Sequence, residues 1–317
     1  MRRWIVLLSV LLGIQVLAAI LLLGQQQTSP ASQGRRALLD FDPSLVDHLR
    51  IESPDGKVEL VRKEGRWVIA GEPELPADQG RVEALLGKLA ALRAGTVVAT
   101  SDSAHERFRV TDQAFERRIT LYQGERQLAA LLVGTSPNFR LVHVRVPGQA
   151  EIYAVEFATY EAPDLAREWL DKDLLRRPVE TIAAITRVGG ATVRHEGEQF
   201  VAEPLPAGRQ LDQEAAKRLF DNVAEQRIDD VLTGDEARLC DQTEPVLRLG
   251  VSLRESPENP VHYRLVRLPG PEGKKKGAER FCLTVDGHDE RFLLLGYNGQ
   301  ALIDSTDPEV LFVAPGK

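Results

Sequence analysis

The sequence predicts an α+β protein: two tandem repeats of an antiparallel sheet covered by a helix, preceded by one N-terminal transmembrane helix. Three observations lead there. The chain begins with an uncharged apolar run, continues in short alternating segments separated by tight turns, and uses one helix-period segment twice.

The apolar run "WIVLLSVLLGIQVLAAILLLG" covers 21 residues, Trp4 to Gly24, without a charge. As a helix it is roughly 31 Å long, against a hydrocarbon core of about 30 Å. A cleavable signal has a shorter apolar region, about 7–15 residues, and a small-residue cut site. The nearest such site here, Ser29-Pro30-Ala31, is poor, so residues 1–24 are read as an uncleaved anchor, with a cleaved signal as the alternative. Arg2 and Arg3 favour a cytoplasmic N-terminus, whereas Arg35 and Arg36 on the far side weaken that bias. The expected location is the cytoplasmic membrane, single-pass, with the folded body on the periplasmic side. Residues 25–43 are polar and unpatterned at their start and are expected to act as a tether.

Residues 44–155 are expected to form the first repeat. "DHLRIES", a Pro-Asp-Gly turn, "KVELVRK" and "RWVIA" read as three antiparallel strands. In "ADQGRVEALLGKLAALRAG" the residues Val82, Leu85, Leu86, Leu89 and Ala90 repeat at helical spacing, with Asp78 as N-cap and Gly95 as the stop. "RRITLYQ", "RQLAALLVG", "RLVHVRV" and "EIYAV" follow as strands. Residues 156–176 are expected to be a partly helical connector, with Leu165, Trp169 and Leu174 on one side.

Residues 177–317 are expected to form the second repeat. Placed without a gap under residues 78–98, residues 212–232 match Asp78-Gln79 with Asp212-Gln213, Leu85 with Leu219, Ala90 with Ala224, Arg93 with Arg227 and Val97 with Val231. Leu86, Leu89 and Val98 meet Phe220, Val223 and Leu232. Trp67 falls opposite Phe200, one residue out of step. A packing position must be present in both copies, whereas a catalytic residue need not be. Trp67, Phe200, Leu85, Leu86, Leu89, Leu219, Phe220 and Val223 are therefore read as structural core, with an aromatic binding platform as the alternative for the first two.

The combination of anchor, three-strand start, Trp strand, "AD" before a helix that leads to "VV", and the later "EWLDKDLL" resembles the bacterial domain-of-unknown-function 4340 family. The resemblance covers roughly residues 44–315. It implies a membrane-anchored protein outside the cytoplasm, associated with ABC-2 exporters of the gliding-motility class, and it brings no catalytic residue. One departure is visible in "RFRV", where Arg109 stands at the glycine of an aromatic-Gly-Leu turn.

The charge of −7 argues against nucleic acid as a main partner, and none is expected. "GTSPN" is not a nucleophile elbow, no Walker loop or H-E-x-x-H is present, and the six histidines lack ligand-like spacing. No catalytic residue, cofactor or metal site is predicted. "DGHDER" offers Asp286, His288, Asp289 and Glu290 as cation ligands but reads better as a hairpin turn around Gly287. "GKKKG" reads as a solvated loop, with anionic lipid as the alternative, and the carboxylates of "DKD" diverge. Cys240 and Cys282 are a possible disulfide, favoured by an oxidising compartment, or buried thiols. The expected function is a non-enzymatic, membrane-anchored extracytoplasmic accessory protein that binds another envelope protein, with an ABC exporter subunit as one candidate. The alternatives are an envelope hydrolase with dispersed carboxylates and a small-molecule-binding domain between the two repeats.

Overall fold

The structure is a computed structural model that describes residues 36–270 and 279–315. The apolar run of residues 1–24, most of the tether and the "GKKKG" loop lie outside the described residues. Among the described residues no helix is long and apolar enough to cross a membrane.

The first half places β1 (His48–Glu52), β2 (Lys57–Lys63), β3 (Arg66–Ile69) and β4 (Leu75–Pro76) before helix α1 (Gln79–Ala91). Then come β5 (Val97–Ala99), the short helix α2 (Asp102–Arg107), β6 (Arg117–Gln123), β7 (Arg126–Val133), β8 (Leu141–Arg145) and β9 (Ile152–Glu156). The second half repeats the series with β10 (Ile182–Arg187), β11 (Thr192–Glu196), β12 (Gln199–Glu203), β13 (Gln210–Leu211) and α3 (Gln213–Ala224). It continues with β14 (Asp230–Leu232), α4 (Gly234–Gln242), β15 (Leu247–Leu253), β16 (Ser256–Leu268), β17 (Arg280–Val285) and β18 (Arg291–Leu295). Helices α5 (Gly296–Ser305) and α6 (Pro308–Leu311) and strand β19 (Phe312–Val313) end the series.

The larger sheets have the orders β4-β3-β2-β1-β6-β7-β8-β9-β5 and β12-β11-β10-β15-β16-β17-β18-β14. With β10 set against β1, these are the same permutation, so the duplication extends to topology. The difference is β13, which pairs with β19 instead of lengthening the second sheet. By contacts the described residues group into two compact units. One takes the residues up to Glu59 with Glu83–Asp164; the other takes Leu60–Val82 with the residues from Leu165 onward.

Two devices recur. The side chain of Gln79, the first residue of α1, clamps the backbone of Trp67: Trp67 N–H donates to its Oε1 at 2.7 Å, and its Nε2 donates to Trp67 O at 2.9 Å. Gln213 does the same to Phe200 at 2.8 and 3.0 Å. The residue before each helix is tied to the chain that follows the last sheet strand. Asp78 N–H donates to Trp169 O at 2.7 Å and Asp212 N–H to Leu311 O at 2.9 Å, beside the bridge Ala77–Leu170 and the pair β13–β19. Asp78 and Asp212 are the N-caps, accepting from Arg81 N–H and from the N–H groups of Glu214 and Ala215.

Trp67, Leu85, Leu86, Leu89, Leu219, Phe220 and Val223 are buried. Phe200 is a correction, because it is half-buried and packs on His195 and Phe220. Its strand β12 is a sheet edge, whereas β3, which carries Trp67, has β4 beside it. The tether also ends earlier than expected. Leu38 and Leu39 are buried, Leu38 N–H donates to Leu92 O, and Ala94 N–H donates to Arg36 O. That pairing takes residues 92–94 out of α1, which stops at Ala91 rather than near Gly95. Residues 156–176 hold two short 3-10 turns, Thr159–Glu161 and Ala166–Glu168, instead of a helix. Pro163 forces the residue before it away from helical angles, and the Trp169 backbone serves the bridge to β4. Leu165 is exposed while Trp169 is fully buried. Arg109 has φ +55°, which accounts for the glycine favoured at that turn.

Cys240 of α4 and Cys282 of β17 form a disulfide inside a buried cluster with Leu232, Val266 and Leu268. Opening this loop of 42 residues by the double change Cys240→Ala, Cys282→Ala is expected to lower stability by about 4 kcal/mol in the chain-entropy account, read as a shifted urea midpoint. Gln79→Ala is expected to cost about 1–3 kcal/mol, because the partly buried Trp67 N–H loses its partner while Trp67 O keeps Ala77 N–H, and Gln213→Ala, at an exposed site, about 0.5–1.5 kcal/mol. Equal costs at both positions, by the same measurement, would contradict the part given to burial.

Candidate binding surfaces

Three places collect functional groups. The first is a polar groove at the β17–β18 turn, lined by Asp241, Arg264, Thr284, Asp286, His288 and Arg291. Asp286 accepts from the backbone N–H of His262 at 3.0 Å, and its carboxylate lies 2.6 Å from His262 Nδ1. That side-chain bond, ahead of the opposing effect of burial, holds the Asp286 carboxyl below the usual range. Gly287 has φ +87°, so the segment is a turn held to β16, as its composition suggests. Arg264 donates to the carbonyls of Cys240 and Thr243 at the end of α4, and Arg291 holds Asp241 at 2.7 Å. These cations are occupied in fixing α4 to the sheet. Among the described residues no group of three or more His, Cys, Asp or Glu side chains is placed to hold a metal ion.

The second place is a groove of about 460 Å³ beside α3, lined by Asp173, Arg176, Arg177, Asp221 and Glu225 among others. Most of its charges pair off: Asp173 with Arg227 at 3.1 Å, Arg176 with Glu225 at 3.7 Å and Asp221 with Lys217 at 2.6 Å, whereas the buried Nε of Arg177 has no hydrogen-bond partner among the described residues. In "DKD", Asp171 accepts from Asp173 N–H at 3.0 Å, which shapes the turn. Burial pushes its carboxyl pKa up, helped by the nearby charges of Asp78 and Asp173. Asp173 faces Arg227 instead, so the two carboxylates do not converge.

The third place is apolar. Val97 and Val98 on β5, the edge of the first large sheet, are each 43% exposed. Their counterparts on β14, Val231 and Leu232, are covered: Val231 is half-buried and Leu232 is 5% exposed. The cover differs because α4 is nine residues long and fastened by the disulfide, while α2 has six residues. Nothing in the paired sequences marks this contrast, since Val97-Val98 and Val231-Leu232 are alike as apolar pairs. The signal was the length and cysteine content of the helix that follows.

A ring cluster near the β12 edge couples folding to pH. His195 lies 4.2 Å from the Phe200 ring and 4.9 Å from that of Phe220. Burial, then the charge of Arg254, holds its pKa below the usual histidine value. The neutral imidazole is the form the fold favours. The unfolded chain therefore binds the proton first, and stability is complete above about pH 6.5 and declines as pH falls below it. His143, lowered chiefly by its own burial, acts in the same direction. His195→Phe is expected to reduce the drop in Tm between pH 7.5 and 5.5 without abolishing it; an unchanged drop would remove His195 from the account.

Comparison with known proteins adds one finding. No curated protein and no solved structure matches the chain. The family model "Domain of unknown function (DUF4340)" matches residues 67–245, from the Trp67 strand through α3 to the end of α4, which is more than half of the 317 residues. The chain thus belongs to the DUF4340 family.

Proposed function

We propose that this protein is a non-enzymatic, membrane-anchored extracytoplasmic accessory protein that binds another envelope protein along the β5 edge. The observation that carries the reading is the contrast between equivalent edges. Val98 is 43% exposed where Leu232, its counterpart, is 5% exposed. An edge strand offers unpaired backbone groups to an extended segment of another chain, and such strand addition is a recurring mode of peptide recognition. Exposed valines at that edge add apolar contact to the backbone pairing. The polar grooves support the same reading from the other side, since most of their charged groups are engaged in pairing or in holding α4.

Two features support the location. The 21 uncharged residues from Trp4 to Gly24 suit a single membrane anchor. The Cys240–Cys282 disulfide suits an oxidising compartment outside the cytoplasm. The partner class is an envelope protein; an ABC exporter subunit is the candidate that the family's reputed neighbours suggest.

The test uses the full-length chain in cells with a photo-crosslinking side chain at Val97 and, in a second strain, at Val231. The reading expects one reproducible membrane-protein adduct at Val97, absent at Val231 and removed by Val98→Glu. Failure to form a specific adduct at Val97 would sink the edge-binding reading.

A further inference from the structure

A second exposed apolar feature lies in the first unit, at the end where the described chain begins. The β7–β8 hairpin tip presents Phe139 at 85% exposure, and the turn after β9 presents Tyr160 at 72%. The tip is braced. Thr135 and His143 close its base through two backbone bonds to neighbouring groups and a side-chain contact at 3.0 Å. The Ser136 hydroxyl lies 2.7 Å from Asn138 O and 2.6 Å from Leu141 O. Arg140 takes φ +72°, a conformation costly for a residue with a Cβ, and its guanidinium stands 5.3 Å from the Phe139 ring. An aromatic ring held out on a strained, braced turn is a feature that folding alone does not require.

The surroundings indicate what the ring meets. Phe157 N–H donates to Arg140 O, and Leu141 pairs with Glu156, so the hairpin tip and the end of β9 lie together. Leu141 and Glu156 line a groove of about 520 Å³ with Lys88, Leu92, Arg93 and Gly95. Arg93 is bridged to Ala37, and Arg36 accepts from Ala94 N–H through its carbonyl. The first described residue thus sits on the same end as Phe139. Cations are in excess there: Arg36, Arg140 and Arg93, the last also donating from Nη1 to the carbonyls of Ala90 and Leu92, against Glu156, with Lys88 and Glu161 paired to each other at 2.6 Å. Eleven residues separate Gly24 from Arg36, and eleven residues fully extended span at most about 40 Å.

We propose that this end of the first unit rests on an anionic bilayer surface, with Phe139 and Tyr160 at headgroup depth and Arg36, Arg93 and Arg140 against lipid phosphates. The inference rests on the membrane-anchor reading, which places that bilayer within reach. Tyrosine favours the membrane–water interface because its apolar ring ends in a hydroxyl that stays in water, and phenylalanine on an interfacial segment buries its apolar ring at the headgroup–acyl boundary. Arginines close to anionic lipid gain electrostatic attraction within a Debye length. The glycine at 134 serves the same presentation: a Cβ there would stand 2.0 Å from Phe108 O, so the hairpin lies directly on the turn after α2.

The test uses the full-length chain in vesicles of phosphatidylethanolamine and phosphatidylglycerol. Phe139→Cys, Tyr160→Cys and Glu125→Cys each carry a polarity-sensitive thiol dye, the native cysteines being bonded to each other. Glu125 lies in the exposed turn at the opposite end of β7 and is the control. The proposal expects blue-shifted emission and a several-fold loss of aqueous quenching at 139 and 160, with neither at 125. The shielding should weaken when phosphatidylcholine replaces phosphatidylglycerol or when Arg140→Glu is added. Dyes at 139 and 160 as open to quencher as the dye at 125 would overturn it. So would shielding found in native membranes but not in protein-free vesicles, which would assign the face to a protein. An alkaline wash of the same vesicles tests the anchor separately. A chain that washes off contradicts the anchor, whereas a retained chain with water-exposed dyes contradicts this inference alone.

Discussion

Each repeat turns on a single side-chain amide. Where the chain leaves its third strand and returns as a helix, the strand position carrying Trp67 or Phe200 has backbone groups on the side away from its hairpin partner. Strand β4 pairs with Val68 and Ile69, and beyond it Ala77 N–H still reaches Trp67 O at 3.2 Å, but no backbone carbonyl among the described residues takes the Trp67 N–H. Gln79 completes the ladder with the donor and acceptor of a peptide group on a side chain. In the second copy no short strand lies beside β12, and Gln213 is the partner that Phe200 has on that side. A glutamine at the first helical residue thus fixes the start of the helix to the sheet, and with it the register of the buried stripe from Val82 to Leu89. Asparagine would be one methylene too short for that reach, and glutamate would lack the donor.

Two copies of one topology have diverged in how they finish. The second closes its strand beside the helix with β13 and β19, covers its β14 edge with a longer helix and fixes that helix by a disulfide, by Arg264 on its terminal carbonyls and by the Arg280–Glu236 pair at 2.7 Å. The first has Trp169 and Leu170 as its closing segment and leaves β5 bare. If both edges were closed, the protein would have no sheet edge of this kind to offer; if both were bare, it would carry two places prone to non-specific pairing. The two copies therefore differ in the sheet edge each leaves to solvent, and the proposed binding mode rests on that difference.

Much of the architecture was legible in the sequence. Alternation marked the strands, the 3.6-residue period marked both helices, and the paired Asp-Gln dipeptides marked their starts. The errors have physical causes. Gly95 did not end α1, because a backbone pairing from residues 36–38 competes for the last turn. Leu165 and Trp169 looked like one helical face, but a proline and a β-bridge divide them. Phe200 copied the position of Trp67 but not its burial, since burial depends on a neighbouring strand that the local sequence does not name. The candidate surfaces were less legible for the same reason. Val97 and Val98 are apolar in either environment, and only the size of the following helix decides which one they have. Phe139 follows a Ser-Pro-Asn turn, which indicates a loop but not a ring held out from it.

The two proposed surfaces constrain each other. Strand β5 pairs with β9 at Tyr153 and Ile152, while the other end of β9, at Glu156, belongs to the hairpin tip and the groove beside Arg36. These places lie three to four residues apart along the strand, a rise of roughly 10–14 Å. If the tip lies at headgroup depth, a segment added to β5 runs within about one strand length of the lipid, however the rest of its protein is built. A diffusing soluble partner has no need of such a position. A partner fixed in the same membrane does, because its segment is then confined to the layer that the β5 edge occupies, and the entropic cost of pairing falls accordingly. Taken together, the two proposals point to an integral membrane protein, with a short extended segment just outside the bilayer, over a soluble envelope component.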